Sequence, residues 1–194
     1  ATVYGDVHAD VLPLTEDLER KPAVSPYGNT KKIGEDIITD VAKSDNDFNG
    51  ISLRYFNPIG AHASSEIGEL PNGIPNNLMP FITQTAVGLR KELMVFGDNY
   101  DTPDGTALRD YIHVVDLAHA HVKAVNRLVN NQQKSNYEIF NLGTGKSSSV
   151  LEVIQSFERA SGKKLSYKIT GRRDGDIQEM YASTDLANKE LGWT

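Results

Sequence analysis

Cysteine is absent from this 194-residue sequence, and its five histidines are scattered. Without cysteine the chain cannot form disulfides or thiolate metal sites, which is typical of cytosolic proteins. The closest two histidines, His119 and His121, would lie on different faces of a predicted helix and could not share a metal ion. We therefore expect a cytoplasmic protein without a metal site.

Basic residues are in the minority, and long apolar runs are missing. The 26 acidic residues outnumber the 20 lysines and arginines, so the formal net charge is −6 and the surface should repel nucleic acid and anionic membranes. No stretch approaches the roughly 20 apolar residues that a membrane span needs, and no signal-type segment opens the chain. We predict a soluble protein with neither nucleic acid nor a membrane as its partner.

The sequence does contain alternating strand and helix patterns. Strands are predicted at residues 2–4, 50–56, 93–96, 111–114, 136–142 and 165–169, with Asn57-Pro58 as a strand stop. Helices are predicted at residues 26–43, 78–89 and 150–160 and after the caps Asp116 and Thr184; Ser149 is a further predicted cap. This alternation predicts an α/β layered fold in which the early part completes a parallel sheet and the later part forms a smaller lobe.

Tyr27 and Lys31 fall on the first two turns of the helix that Ser25 and Pro26 begin. Residues four apart on a helix lie one above the other, so the ammonium would stand beside the phenol. A neighbouring cation favours the phenolate form, which can act as a general base. The same spacing also occurs on ordinary solvated helices, so the pair becomes a candidate catalytic pair only through the motifs around it.

Five segments of the chain, in order, resemble one family. They are residues 1–5 (ATVYG), 25–27 (SPY), 54–62 (RYFNPIGAH), 73–80 (GIPNNLMP) and 104–114, which contains DGT and RDYIHV. In this order they are similar to the UDP-glucose 4-epimerases, which are extended short-chain dehydrogenase/reductases. The resemblance implies NAD as cofactor, UDP-glucose and UDP-galactose as substrates, and a homodimer built on a four-helix bundle that includes the Tyr27 helix.

The resemblance also implies how the chain is divided. Residues 1–60 would be the later portion of a Rossmann-like NAD-binding domain, with its glycine-rich half missing. Residues 61–194 would be mainly a UDP-sugar-binding lobe, with residues 93–140 partly returning to the first domain.

One departure from the family is the missing glycine-rich turn. Residues 143–147 (GTGKS) imitate a phosphate loop, but Phe140 stands where a Walker motif needs glycine, so we predict a strand-to-helix loop. The family's catalytic serine or threonine would precede Ala1, and Thr2 does not replace it. We therefore expect this chain to be a piece of an epimerase that is inactive by itself.

The resemblance assigns the chemistry to Tyr27 and Lys31. Tyr27, as phenolate, would take the proton of the sugar 4-hydroxyl while a hydride passes from C4 to NAD, and Lys31 would keep the tyrosine ionised. Tyr55 would pack on the nicotinamide, although a half-buried strand tyrosine would have the same pattern. Tyr27, Lys31 and Tyr55 are the expected cofactor contacts.

Eight further residues match family positions that hold the UDP group: Asn57, Asn77, Leu78, Met94, Phe96, Arg109, Arg173 and Asp176. Phe96 would stack on uracil, and the planar guanidinium groups of Arg109 and Arg173 would hold the diphosphate. The alternatives are a core position for Phe96 and a solvated surface for each arginine.

Met180 falls where the family varies the wall of the sugar pocket. A small residue there is similar to enzymes that accept N-acetylated sugars, and a tyrosine to those that reject them. The methionine side chain should crowd an acetamide, a discrimination of roughly 1–3 kcal/mol. We expect a preference for the plain hexose.

Two alternative functions stay open from the sequence. A nucleotide-sugar 4,6-dehydratase or related decarboxylase would share the tyrosine and lysine, but dehydratases resemble Asp-Glu-Val-Tyr-Gly where this chain has Ala1 and Thr2. A non-catalytic UDP-sugar-binding module would also fit, because the turn that holds the pyrophosphate of NAD is missing.

Overall fold

A computed structural model describes all 194 residues. The helices are α1 (Pro26–Ser44), α2 (Leu78–Ala86), α3 (Val114–Val129), α4 (Val150–Ser161) and α5 (Asp185–Leu191). The strands are β1 (Gly50–Tyr55), β2 (Asn57–Ile59), β3 (Leu93–Phe96), β4 (Leu108–Arg109), β5 (Tyr111–His113), β6 (Tyr137–Leu142), β7 (Ser148–Ser149), β8 (Tyr167–Thr170) and β9 (Glu179–Met180). None of the helices has the length and apolar character to cross a membrane.

The strand pairs are mainly parallel. β1 pairs with β6, β2 with β5, and β3 with β8, each in parallel, while β4 lies between antiparallel β7 and parallel β9. Strands that pair in parallel must be joined by long crossovers, and here helices supply much of their length. The predicted α/β class with parallel pairing is confirmed.

Three apolar clusters form the core. One lies between the β1–β6 pair, α3 and α5 and includes Phe140 and Trp193. A second joins the start of the chain to the segment around β9 through Tyr4 and Met180. A third packs α4 against β3 through Ile154. The division of the chain at residue 60 stays a prediction.

Serine caps begin two of the helices as predicted. The Ser25 hydroxyl accepts a hydrogen bond from the Gly28 N–H at 3.1 Å, and proline follows at the first position of α1. Ser149 forms a full capping box with Glu152, in which each side chain accepts from the other's backbone N–H. The start of the Tyr27 helix is therefore set by local sequence.

Several local predictions were wrong. Residues 2–4 form a short 3₁₀ helix instead of a strand. β1 ends at Tyr55, before the predicted stop at Asn57-Pro58, but Asn57 then begins a further strand, β2, because its N–H donates to the Asp110 carbonyl. Asp116 lies inside α3, whose cap is His113, and Thr184 occupies the cap position of α5 without accepting a side-chain cap bond.

Candidate active site

The first of two neighbouring cavities has a volume of about 580 Å³ and lies between β3, the start of α2, the β4–β5 segment and residues 173–176. Ligand pockets typically measure roughly 300–1,000 Å³. All eight residues expected to hold the UDP group line it: Asn57, Asn77, Leu78, Met94, Phe96, Arg109, Arg173 and Asp176. We name it the nucleotide cavity.

Alternation along β3 explains why Phe96 is available to a ligand. Leu93 and Val95 are buried in the core, while Met94 and Phe96 are only partly buried and face the nucleotide cavity. The guanidinium carbon of Arg173 lies 4.7 Å from the centroid of the Phe96 ring, within the range of a cation–π contact. The alternative that Phe96 is a core residue is not borne out.

Two arginines and one carboxylate form the polar side of this cavity. Arg109 Nη2 lies 2.5 Å from Asp176 Oδ1, and Arg173 Nη2 lies 3.4 Å from Asp176 Oδ2. The cluster therefore carries one more positive than negative charge, which favours an anionic ligand.

The start of α2 adds backbone donors to the same wall. Asn77 occupies the cap position, but its Oδ1 accepts no cap bond, and its Nδ2 donates to Glu69 Oε1 at 2.8 Å. The first N–H groups of α2 are thus left without a side-chain acceptor beside Leu78. A helix N-terminus of this kind attracts anions.

A second cavity, of about 610 Å³, lies along α1 and the end of β1. It is lined by Tyr27, Lys31 and Tyr55, the three expected cofactor contacts, and by Thr2. Both tyrosines present large surfaces to it, with exposed fractions of 62% for Tyr27 and 43% for Tyr55. We name it the catalytic cavity.

The two cavities meet at three shared residues, Asn57, Pro58 and Asn77. A ligand whose nucleotide occupies the first cavity can therefore extend its other end past these residues toward Tyr27. The fold thus places residues as far apart in the chain as Tyr27 and Asp176 in two adjoining cavities.

Tyr27 and Lys31 are stacked as the helical spacing predicts. The Lys31 Nζ lies 5.1 Å from the centroid of the Tyr27 ring, within the range of a cation–π contact. Burial raises the pKa of Tyr111, which lines the nucleotide cavity, to about 12. Tyr111 therefore stays protonated near neutral pH and is not a candidate base.

The sequence did not predict some of the residues that line the nucleotide cavity, and it placed one residue in the wrong environment. Tyr111 and Asn76 line the nucleotide cavity; Tyr111 could have been found, because it lies two residues from Arg109 along a strand-like segment and so shares its side. Met180, expected on the sugar-pocket wall, lines neither cavity and is instead 7% exposed within the core beside Tyr4.

The loop at residues 143–147 does not bind phosphate through its backbone in this fold. It connects β6 to β7, and the N–H groups of Thr144 and Gly145 donate to the carboxylate of Asp110. The rejection of a Walker motif is supported, because two of the loop's N–H groups, those of Thr144 and Gly145, already bind a carboxylate.

The chain is similar to epimerases over its whole length. The UDP-glucose 4-epimerase of Mus musculus is 51% identical over 194 residues, which are all of this chain and 54% of the mouse protein. Two solved structures of UDP-glucose 4-epimerases superimpose with a TM-score of 0.93 each and cover 100% of this chain and 56% of theirs. The one from Stenotrophomonas maltophila is 49% identical, with bound NAD and formylated UDP-arabinopyranose, and the one from Bifidobacterium longum is 48% identical, in complex with NAD+ and UDP.

The chain thus spans about half the length of the relatives it matches. A family model, that of the NAD dependent epimerase/dehydratase family, matches residues 1–143. These residues contain the Tyr27 and Lys31 pair, both asparagines of the junction and Arg109. The protein therefore belongs to the NAD dependent epimerase/dehydratase family.

Proposed function

We propose that the whole protein is a UDP-glucose 4-epimerase, which interconverts UDP-galactose and UDP-glucose with NAD as cofactor. The observation that carries the proposal is the junction of the two cavities, which gives a UDP-sugar a path from Phe96 and Arg109 to Tyr27. The names of the relatives support the same activity.

In this proposal the nucleotide cavity holds the UDP group. Phe96 provides a flat apolar face for uracil, since aromatic rings stack on bases. Arg109 and Arg173 bind the diphosphate oxygens, and their present partner Asp176 is free to accept a hydrogen bond from the ribose once the diphosphate has taken the arginines. The α2 N-terminus adds donors on the opposite wall.

The sugar then lies at the junction, where Asn57 and Asn77 can orient its polar groups. Tyr27 removes the proton from the 4-hydroxyl and returns a proton after the keto sugar has turned over. Lys31 supplies the positive charge beside Tyr27 when Tyr27 takes up this proton. NAD, held beside Tyr55, would supply the hydride acceptor and donor for the oxidation and reduction at C4.

The residues of the catalytic cavity fit the nicotinamide end of NAD. The exposed ring of Tyr55 offers a flat surface, and Tyr27 and Lys31 lie beside the same space. The sequence has no Gly-x-Gly-x-x-Gly turn that could hold the pyrophosphate of NAD. We therefore propose that the 194-residue chain binds UDP but does not epimerise UDP-sugars by itself.

The catalytic cavity favours an epimerase over a dehydratase. Ala1 and Thr2 line it where dehydratases are expected to place carboxylates. Its lining contains one acid, Glu35, which is already bound by Arg54 through two hydrogen bonds. No carboxylate is left over for the elimination of water.

We further propose that the protein is a cytoplasmic homodimer that pairs through α1. Three apolar side chains of α1, Ile33, Ile37 and Val41, recur at helical spacing with exposed fractions of 47%, 59% and 39%. An exposed apolar stripe on a helix favours association with a second helix. I37E should shift a dimer to monomers in light scattering, and an unchanged mass would contradict this.

The central experiment is calorimetric titration of the 194-residue chain and its variants with UDP. Wild type should bind UDP; F96A should weaken binding by about tenfold through the lost stacking surface, and Y27F should leave it unchanged. Absence of binding by the folded wild-type chain would overturn the proposal. Conversion of UDP-galactose to UDP-glucose should appear only in a version extended to the length of the relatives, and conversion by the 194-residue chain would contradict the proposed inactivity.

A further inference from the structure

Asp110 is a fully buried carboxylate without a cationic partner. It lies between β4 and β5 with an exposed fraction of 0%, and no arginine or lysine pairs with it. Four donors surround it instead. They are the Thr144 N–H at 2.8 Å, the Thr144 hydroxyl at 2.8 Å, the Gly145 N–H at 3.2 Å and the Ala182 N–H at 3.2 Å.

These four donors match the acceptor capacity of an ionised carboxylate, which offers about four lone-pair sites. Charge-assisted bonds of this kind are roughly twice as strong as neutral ones. Gly143 is adapted to this contact, because a Cβ at that position would overlap the Asp110 carboxylate. An asparagine at position 110 would instead turn an NH₂ group toward donors and leave them unpaired.

The backbone N–H and carbonyl of Asp110 are both hydrogen-bonded as well. Its carbonyl accepts from the Asn57 N–H at 2.9 Å, and its N–H donates to the Met180 carbonyl at 3.1 Å. The side chain and backbone of one residue thus join three segments: β2, the loop at residues 143–147 and the chain around β9.

Two of these segments carry the ligand contacts of the nucleotide cavity. Asn57 begins β2, and Arg109 precedes Asp110 directly. Asp176, the partner of Arg109 at 2.5 Å, lies on the segment that leads into β9. The position of the Arg109 and Asp176 pair relative to Asn57 therefore depends on the bonds that Asp110 makes.

We propose that Asp110 is a positioning residue for the UDP site: its buried carboxylate holds Arg109 in the geometry that binds the diphosphate. The proposal rests on the proposed function of the nucleotide cavity. Asp110 does not line this cavity, so it acts through Arg109 and through the segments that it joins.

The test is UDP affinity, measured by calorimetry on the 194-residue chain alongside the melting temperature. D110N should weaken UDP binding by about tenfold or more, and T144V, which removes one donor and keeps the shape, by about threefold. E138Q is the matched control, because Glu138 also pairs in a buried site with Arg127 but lies away from both cavities. It should lower the melting temperature and leave UDP affinity unchanged.

A double-mutant cycle separates positioning from general destabilisation. If Asp110 acts through Arg109, T144V should cost no further affinity in an R109A background, whereas a purely structural effect would add to that of R109A. T144V carries the test where D110N does not fold. If T144V binds UDP as tightly as wild type, or if the cycle is additive, the positioning role of Asp110 is overturned, while binding of UDP by wild type still supports the UDP site. If the folded wild type does not bind UDP, both the positioning role and the UDP site are overturned.

Discussion

Arg54 and Glu35 form a buried, two-point ion pair that joins β1 to α1. Arg54 Nε lies 2.8 Å from Glu35 Oε1, and Arg54 Nη2 lies 2.7 Å from Glu35 Oε2. The two side chains are 4% and 8% exposed. Glu35 follows Tyr27 and Lys31 on the same side of α1, two helical turns after the tyrosine, so the pair fixes the helix that carries the candidate base.

Breaking this ion pair should destabilise the protein strongly. R54M would leave the Glu35 charge buried with only Arg20 nearby, at 3.3 Å. We expect a loss of at most about 3–5 kcal/mol in the free energy of unfolding, the usual cost of breaking a buried ion pair, because Arg20 compensates the Glu35 charge only in part. Urea denaturation of R54M measures the loss.

The double variant E35M/R54M is the control for that prediction. Removing both charges replaces the pair by apolar side chains, and such replacements are often neutral or stabilising. The double variant should therefore recover most of the stability lost in R54M. Equal losses in both variants would show that packing, and not the uncompensated charge, accounts for the effect.

Protonation of Glu138 should make the protein less stable in acid. Burial alone would raise its pKa, but hydrogen bonds from Arg127 and from the Lys134 N–H outweigh burial and hold the pKa of Glu138 below its ordinary value. A lowered carboxyl pKa contributes stability that is present above the unfolded-state pKa of about 4.3 and is lost as the pH falls through the folded-state pKa. The free energy of unfolding should decrease from about pH 5 downward.

Replacing Glu138 by glutamine should flatten that decrease in denaturation curves measured between about pH 3 and 6. E66Q is the matched control, because Glu66 is exposed and its carboxylate takes part in no hydrogen bond. An equally steep decrease in E138Q and wild type would assign the acid sensitivity to other carboxylates.

The caps Ser149 of α4 and Thr184 of α5 should contribute different amounts to the free energy of unfolding. S149A removes the acceptor for the Glu152 N–H and a bond to Asp104, and should cost about 1–2 kcal/mol. T184A is the matched control: Thr184 makes no cap bond, so its loss should cost only a few tenths of a kcal/mol. Comparable losses in urea denaturation would refute the assigned role of the capping box.

Tyr27 and Lys31 should affect catalysis without affecting nucleotide binding. In a version extended to the length of the relatives, Y27F should lower kcat by about 10²–10⁴-fold, the usual contribution of a general acid or base. K31M should lower kcat as well, because Tyr27 loses the cation beside its ring. K32M is the matched control, since the adjacent Lys32 lies outside the catalytic cavity, and it should retain wild-type kcat; a matching loss in K32M would point to a general charge effect.

Local sequence determined the elements whose signals lie within a few residues. The Ser25 and Ser149 caps, the Leu93–Phe96 strand and the stacking of Lys31 on Tyr27 follow from neighbours along the chain, and the structure confirms each. The motif resemblance also selected the residues that line the nucleotide cavity, because it carries spatial information that propensity alone lacks.

Only the tertiary structure decided the remaining features. The pairing of Asn57 with Asp110 turned a predicted strand stop into β2, and packing against Tyr4 placed Met180 in the core instead of on a pocket wall. The Arg54 and Glu35 pair and the four donors around Asp110 join residues that are 19 to 72 positions apart. Each buried polar group must find a hydrogen-bond partner away from water. Which groups become partners depends on how distant segments pack, and no local pattern in the sequence specifies it.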